Sequence, residues 1–97
     1  MNQVYVLKYE EIGNNLEILG VYSDKWEAVE ELIIRANYRE KNGILTQYNQ
    51  PTDDYPSMEY LRNKVYTDLV IEDLECFYSI EIIPFNDVSK ERLVKNA

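Results

Sequence analysis

Apolar positions in the first third of the chain change their period once, and that change organises the rest. From Gln3 to Glu11 a near-continuous apolar run gives way to alternation, with Val4 and Val6 on one face and Tyr5, Leu7 and Tyr9 on the other. A period of two is the signature of a strand, here one suited to the centre of a sheet. Gly13, Asn14 and Asn15 tolerate positive φ, and Leu16, Ile18, Leu19 and Val21 then resume the branched apolar density of a second strand. The pair predicts an antiparallel hairpin. Gly20, inside the second strand, predicts a bulge or a close approach of the helix rather than a ligand site.

Past Ser23 the period becomes helical. Trp26, Val29, Leu32, Ile33 and Ala36 form one stripe, and Glu27, Glu30, Glu31, Arg35, Arg39 and Lys41 occupy the other faces. Asp24 with Glu27 has capping-box spacing, with Ser23 as a second candidate cap. Acids precede bases along the segment, as the helix dipole favours, and Gly43 offers a left-handed C′ residue. A helix is therefore predicted over 24–42.

After Gly43, Ile44 and Leu45 anchor a short strand, ILTQY. Residues 46–66 read as a long loop or insertion rich in Tyr, Asp and Pro, with one helical turn from near Ser57 carrying Met58, Leu61 and Val65. A loop of that length in a compact domain is more often functional or partly disordered than accidental. The segment DLVIEDL reads equally as a strand or a turn-containing lead-in. Cys76, Tyr78, Ile80, Ile82 and Pro84 then share a core face, opposite Phe77, Ser79, Glu81, Ile83 and Phe85. Pro84 closes that strand or places it at an edge, and 89–97 form a short helix or a frayed tail. The predicted fold is α+β in one domain, 1–97: an antiparallel sheet of three to five strands with one main amphipathic helix on one face.

Composition narrows the function. A hydrophobic fraction of 45% argues against disorder, and 18 acids against 10 bases give a net charge of -8. Such a surface does not neutralise phosphates, so neither a nucleic-acid backbone nor an anionic membrane is the expected partner. A basic protein surface is the electrostatically favoured one. The single cysteine allows no internal disulfide, and the chain shows neither a signal peptide nor a membrane-spanning run, which places it in the cytoplasm.

The absence of histidine removes the commonest general base and metal ligand. Cys76 lies on a core face among Glu72, Asp73 and Glu75, where burial and negative charge oppose a thiolate. Three dispersed glycines make no phosphate loop. Two carboxylate groups, Asp53 with Asp54, and Asp68 with Glu72, Asp73 and Glu75, lack the spacing of a calcium loop and read as solvated acidic surface. No catalytic residue, metal site or cofactor is therefore expected.

Nine tyrosines are the stronger compositional signal, because tyrosine offers large contact area at small entropic cost. Tyr5, Tyr9, Tyr22 and Tyr78 are expected to pack against the sheet; for Tyr55 and Tyr60 a packing role and a recognition role stay equally open.

The stretches VYVLKYEE, LGVYSDKWEAVE and FYSIEIIPFND resemble a family of short bacterial and phage proteins. Its outline is a VYVL-type strand, a second strand ending in GVYS, a capped acidic helix and an isoleucine-rich closing strand. The resemblance covers the first third and the late strand, while 38–73 departs from it. It implies this architecture and no activity.

The expected function is a non-enzymatic protein-binding module, in the manner of a phage or mobile-element inhibitor that occupies a basic surface of a host protein. The partner-binding residues are Asp53, Asp54, Tyr55, Tyr60, Asp68, Glu72, Asp73 and Glu75. The alternative is a small-ligand binder with a site between helix and loop or at a dimer interface, where Arg35, Arg39 and Arg62 converge. A one-sided sheet with tyrosines on its second face also suggests a homodimer through that face.

Overall fold

The turn at Gly13, whose φ is +86°, folds β1 (Gln3–Glu11) back onto β2 (Glu17–Tyr22) as the expected antiparallel hairpin. The computed structural model describes residues 3–84. Leu7 faces Gly20 while Lys8 faces Ile18, so Leu19 is the extra residue of a bulge. Gly20 has a second role. A Cβ there would stand 2.7 Å from the Tyr22 hydroxyl, so it is the Tyr22 ring, rather than a helix, that approaches closely.

Helix α1 spans Lys25–Arg35, and the Asp24 side chain accepts from the Trp26 N–H at 3.3 Å. Ala28, Val29, Leu32 and Ile33 are its buried stripe. Trp26 is not part of that stripe. It is 42% exposed and stacks on Tyr66 at 4.1 Å between centroids, with the Lys25 ammonium 3.8 Å from the other aromatic partner's ring centre.

The helix stops seven residues before the predicted end at 42. Asn37 takes φ 70° and its N–H returns to the Ile34 carbonyl, closing the helix with asparagine in the left-handed role. Arg39 reinforces this end, its guanidinium donating to the carbonyls of Ile34 and Tyr38 at 3.0 and 2.8 Å. Tyr38–Lys41 is strand β3, joined to β4 (Ile44–Gln47) through Asn42 and Gly43, both at positive φ. Asn-Gly between extended segments is a strong hairpin signal, and here it overrides the helical reading of Gly43.

The segment 46–66 is correspondingly more ordered than a long loop. A second two-residue turn with positive φ, Tyr48 and Asn49, leads to β5 (Gln50–Pro51). Helix α2 (Met58–Asp68) then follows, and the Ser57 side chain accepts from the Tyr60 N–H at 3.1 Å. The anticipated single turn is a complete helix of 11 residues, with Met58, Leu61 and Val65 buried as expected. β6 (Val70–Asp73) and β7 (Cys76–Pro84) complete the chain's described part.

Two sheets result: a four-stranded antiparallel sheet in the order β2-β1-β7-β6 and a three-stranded one in the order β3-β4-β5. The α+β class with a main antiparallel sheet is as the sequence predicts, and β1 is indeed internal. β7 pairs with it along its full length and closes at Pro84. The core lies between the main sheet and both helices, where Leu7, Tyr78, Ile80 and Ile71 meet Leu32, Ile33, Leu61 and Val65.

The sheet's second face differs from expectation. Tyr5, Tyr9 and Tyr78 all point toward the helices, so tyrosine does not line the open side. That side carries Val6, Ile18, Val21, Val70 and Phe77, with the Lys8–Glu81 ion pair at 2.9 Å among them. The expected helix or tail at 89–97, and Phe85, lie outside the described residues.

Candidate functional site

The main sheet ends in a cleft built by strand ends and two turns. Tyr9, near the end of β1, and Tyr78, opposite it on β7, form one wall, with ring centroids 5.0 Å apart and planes inclined by 48°. The β6–β7 turn, Leu74–Glu75, makes the rim. It is tied to the end of β1 by the Ile12 N–H, which donates to the Glu75 carbonyl at 2.9 Å. Leu74 takes φ 49° and is 99% exposed. Tyr48 closes the far side from the β4–β5 turn, and Glu11 and Cys76, directly paired across the strands, complete a space of about 540 Å³.

Asp73 holds the two sheets in this relation. Its Oδ2 accepts from the Tyr48 hydroxyl at 2.8 Å and from the Gln47 side-chain amide at 3.1 Å. The same amide donates to the Ala36 carbonyl at the end of α1, so the carboxylate, the small sheet and the helix terminus are one network. Hydrogen bonds to an ionised acceptor are the stronger kind, and this one orients the Tyr48 ring.

Every titratable hydroxyl and thiol on the walls is held toward its neutral form. Donation to Asp73 raises the Tyr48 phenol first, with burial adding to it. Burial, then the Glu11 charge, raises Tyr9. Tyr78 is pushed up to about 12, chiefly by burial. Cys76 is likewise raised by burial and then by Asp73, while its Sγ donates to the Asp73 carbonyl at 3.1 Å. The sulfur is thus a poor nucleophile for the reasons its sequence neighbours suggested. No Lys or Arg lines the cleft. Its potential is negative, and its chemistry suits cations.

The residues expected to bind a partner fall in three places. Asp73 and Glu75 belong to the cleft. Glu72 is exposed on the open sheet face beside Phe77. Asp53, Asp54, Tyr55, Tyr60 and Asp68 belong to the approach to α2 and to α2 itself. There Tyr38 donates to Asp54 at 3.4 Å, and Tyr55 meets the Tyr38 ring edge-on at 5.7 Å. Tyr55 packs against the core, whereas Tyr60 is 49% exposed. Asp68 pairs with Lys64 at 3.0 Å, one helical turn back.

The three arginines of the alternative reading each have a partner of their own. Arg35 bonds Glu31, Arg39 caps α1, and Arg62 pairs with Glu30 to link α2 with α1. Among the described residues no group of three or more Cys, Asp or Glu is placed to hold a metal ion, and no helix is long and apolar enough to cross a membrane.

Sequence reasoning missed Tyr9, Tyr48, Tyr78 and Glu11 as cleft residues. The available signal for Tyr48 was the Tyr48-Asn49 pair between two extended segments, which marks a tight turn and so an outward ring. No family of proteins, curated protein or solved structure matches the chain.

Proposed function

We propose that this chain is a non-enzymatic protein-binding module that holds a basic surface of another protein, acting as an acidic inhibitor of the kind a phage or mobile element carries. The observation that carries this reading is the pairing of carboxylates with accessible rings in two places: Asp73 and Glu75 beside Tyr48, and Asp53 and Asp54 on the approach to Tyr60. Four ion pairs among the described residues engage Glu30, Glu31, Asp68 and Glu81, and none engages Asp53, Asp54 or Glu75. An excess of negative charge next to aromatic contact area favours rapid, salt-sensitive capture of a basic partner. Catalysis has little to draw on, since the chain has no histidine and its thiol is held neutral.

The test is affinity capture from a host lysate with the wild-type chain and with Asp53→Lys, Asp54→Lys and Glu75→Lys combined. A specific partner is expected on the wild type alone, released as salt rises. Equal recovery on both forms, or none on either, refutes the reading. The cleft favours a second reading, a receptor for a small cationic molecule, because about 540 Å³ lies within the range of small-ligand sites.

A further inference from the structure

The cleft's shape and its charge select among cations. Tyr9 presents a partly buried ring backed by the tilted, buried ring of Tyr78, and the half-exposed Tyr48 stands opposite. Phenol faces attract a cation through their quadrupole, more strongly once it is desolvated. Carboxylate acceptors remain beside those rings: Asp73 uses Oδ2 for both Tyr48 and Gln47, and Glu11 uses Oε2 for the Asn14 amide at 2.8 Å. In each case the other oxygen takes no hydrogen bond from the described residues. After burial, the Glu11 charge beside Tyr9 and the Asp73 charge beside Cys76 add to the neutral state of these groups, and those same charges attract a cation.

Guanidinium answers these features better than ammonium. It is flat, so it stacks on a ring; it is forked, so it can bond a carboxylate in its own plane; and it is more weakly hydrated, so less is lost on entering a half-enclosed space. Leu74, fully exposed on the rim, offers apolar contact to the aliphatic stem or backbone that carries the group.

We propose that the cleft walled by Tyr9, Tyr48 and Tyr78 and rimmed by Glu11, Asp73 and Glu75 receives an arginine side chain presented by the basic partner. This rests on the protein-binding reading above and names where that partner is gripped.

The test is an NMR titration of the full isotope-labelled chain with acetyl-Gly-Arg-Gly-amide, with its lysine and citrulline counterparts, and with free arginine. The arginine peptide is expected to shift the Tyr9, Tyr48 and Cys76 amides saturably, the lysine peptide to bind about threefold more weakly, and the neutral citrulline peptide not to bind. Tyr48→Leu and Glu75→Gln, each confirmed folded by its amide spectrum, are expected to weaken binding about fivefold. Equal binding of the citrulline peptide, shifts confined to other surfaces, or unaltered affinity in both variants would overturn the assignment. Free arginine binding more tightly than the peptide would overturn it in favour of a small-molecule cation. If the protein partner is captured equally well by wild type, Tyr48→Leu and Glu75→Gln, the cleft assignment fails while the protein-binding reading stands.

Discussion

Gly20 and the Tyr22 ring compete for one volume, and the chain resolves the competition by omitting a side chain. In Gly20→Ala the new Cβ would sit 2.7 Å from the Tyr22 hydroxyl, so the ring must leave its place against the core. The expected destabilisation is about 1–2 kcal/mol, the lower part of the usual overpacking range, because the clash is with a side-chain tip. Because the clash is with the tip of one ring, the loss should be smaller in a Tyr22→Ala background. A urea-denaturation cycle in which the two substitutions simply add would show that the ring is not what the glycine accommodates. The phenols give a second consequence at this scale. Burial raises Tyr78 to about 12 and raises Tyr9, Tyr22, Tyr38 and Tyr55 as well. The neutral form is favoured in the fold, so above pH 10, the ordinary phenol value, the unfolded chain loses protons that the folded chain keeps. This contribution to stability is complete below pH 10 and disappears as pH climbs through the folded values. Alkaline unfolding is expected in that window, with tyrosinate absorbance and near-UV dichroism changing together. Tyr78→Phe should flatten the pH dependence, and an unaltered profile would remove Tyr78 from its cause.

At the level of elements, local chemistry made the hairpin, the start of α1 and the core face of β7 readable, because each is specified by neighbours in sequence. Asp24 caps and Val29, Leu32 and Ile33 pack as their spacing requires. The error at 36–42 has a definite physical source. Glycine past an apolar stripe can end a helix or turn a hairpin, and the deciding residue is Asn42 before it, together with Asn37, which already supplies the helix's left-handed terminus. Gly43→Ala is therefore expected to cost about 1 kcal/mol by forcing a side chain to φ +77° in the β3–β4 turn, and to leave the helical dichroism of α1 intact. A loss of helix in that variant would contradict the hairpin role. Ser57 was readable as a starting point but not the length of α2, whose apolar stripe is thin and whose support comes from Met58, Leu61 and Val65 packing into the shared core. Ser57→Ala should lower stability by about 1 kcal/mol in thermal denaturation. The cleft was illegible for a different reason. Its residues come from β1, β6, β7 and the turn after β4, and long-range strand pairing with the bonds from Tyr48 and Gln47 to Asp73 brings them together.

For the whole molecule, a net charge of -8 on 97 residues acts on the folded state as self-repulsion. The four ion pairs are exposed or half-exposed, and such pairs contribute little. Screening should therefore help more than it harms. Raising sodium chloride from about 0.01 M to about 0.15 M shortens the screening length from about 30 Å to about 8 Å, and the melting temperature is expected to rise over that range. A fall would mean that the ion pairs outweigh the repulsion. The main sheet has another property at this scale. Its two inner strands are β1 and β7, matched residue for residue from Gln3 with Pro84 to Glu11 with Cys76. During synthesis β1 emerges before β7 and has only β2 beside it until some seventy further residues have followed. The sheet cannot be completed while Pro84 is still inside the ribosomal tunnel, so a nascent chain halted before Cys76 would present an open β1 edge, a natural handle for chaperones and a hazard for self-association.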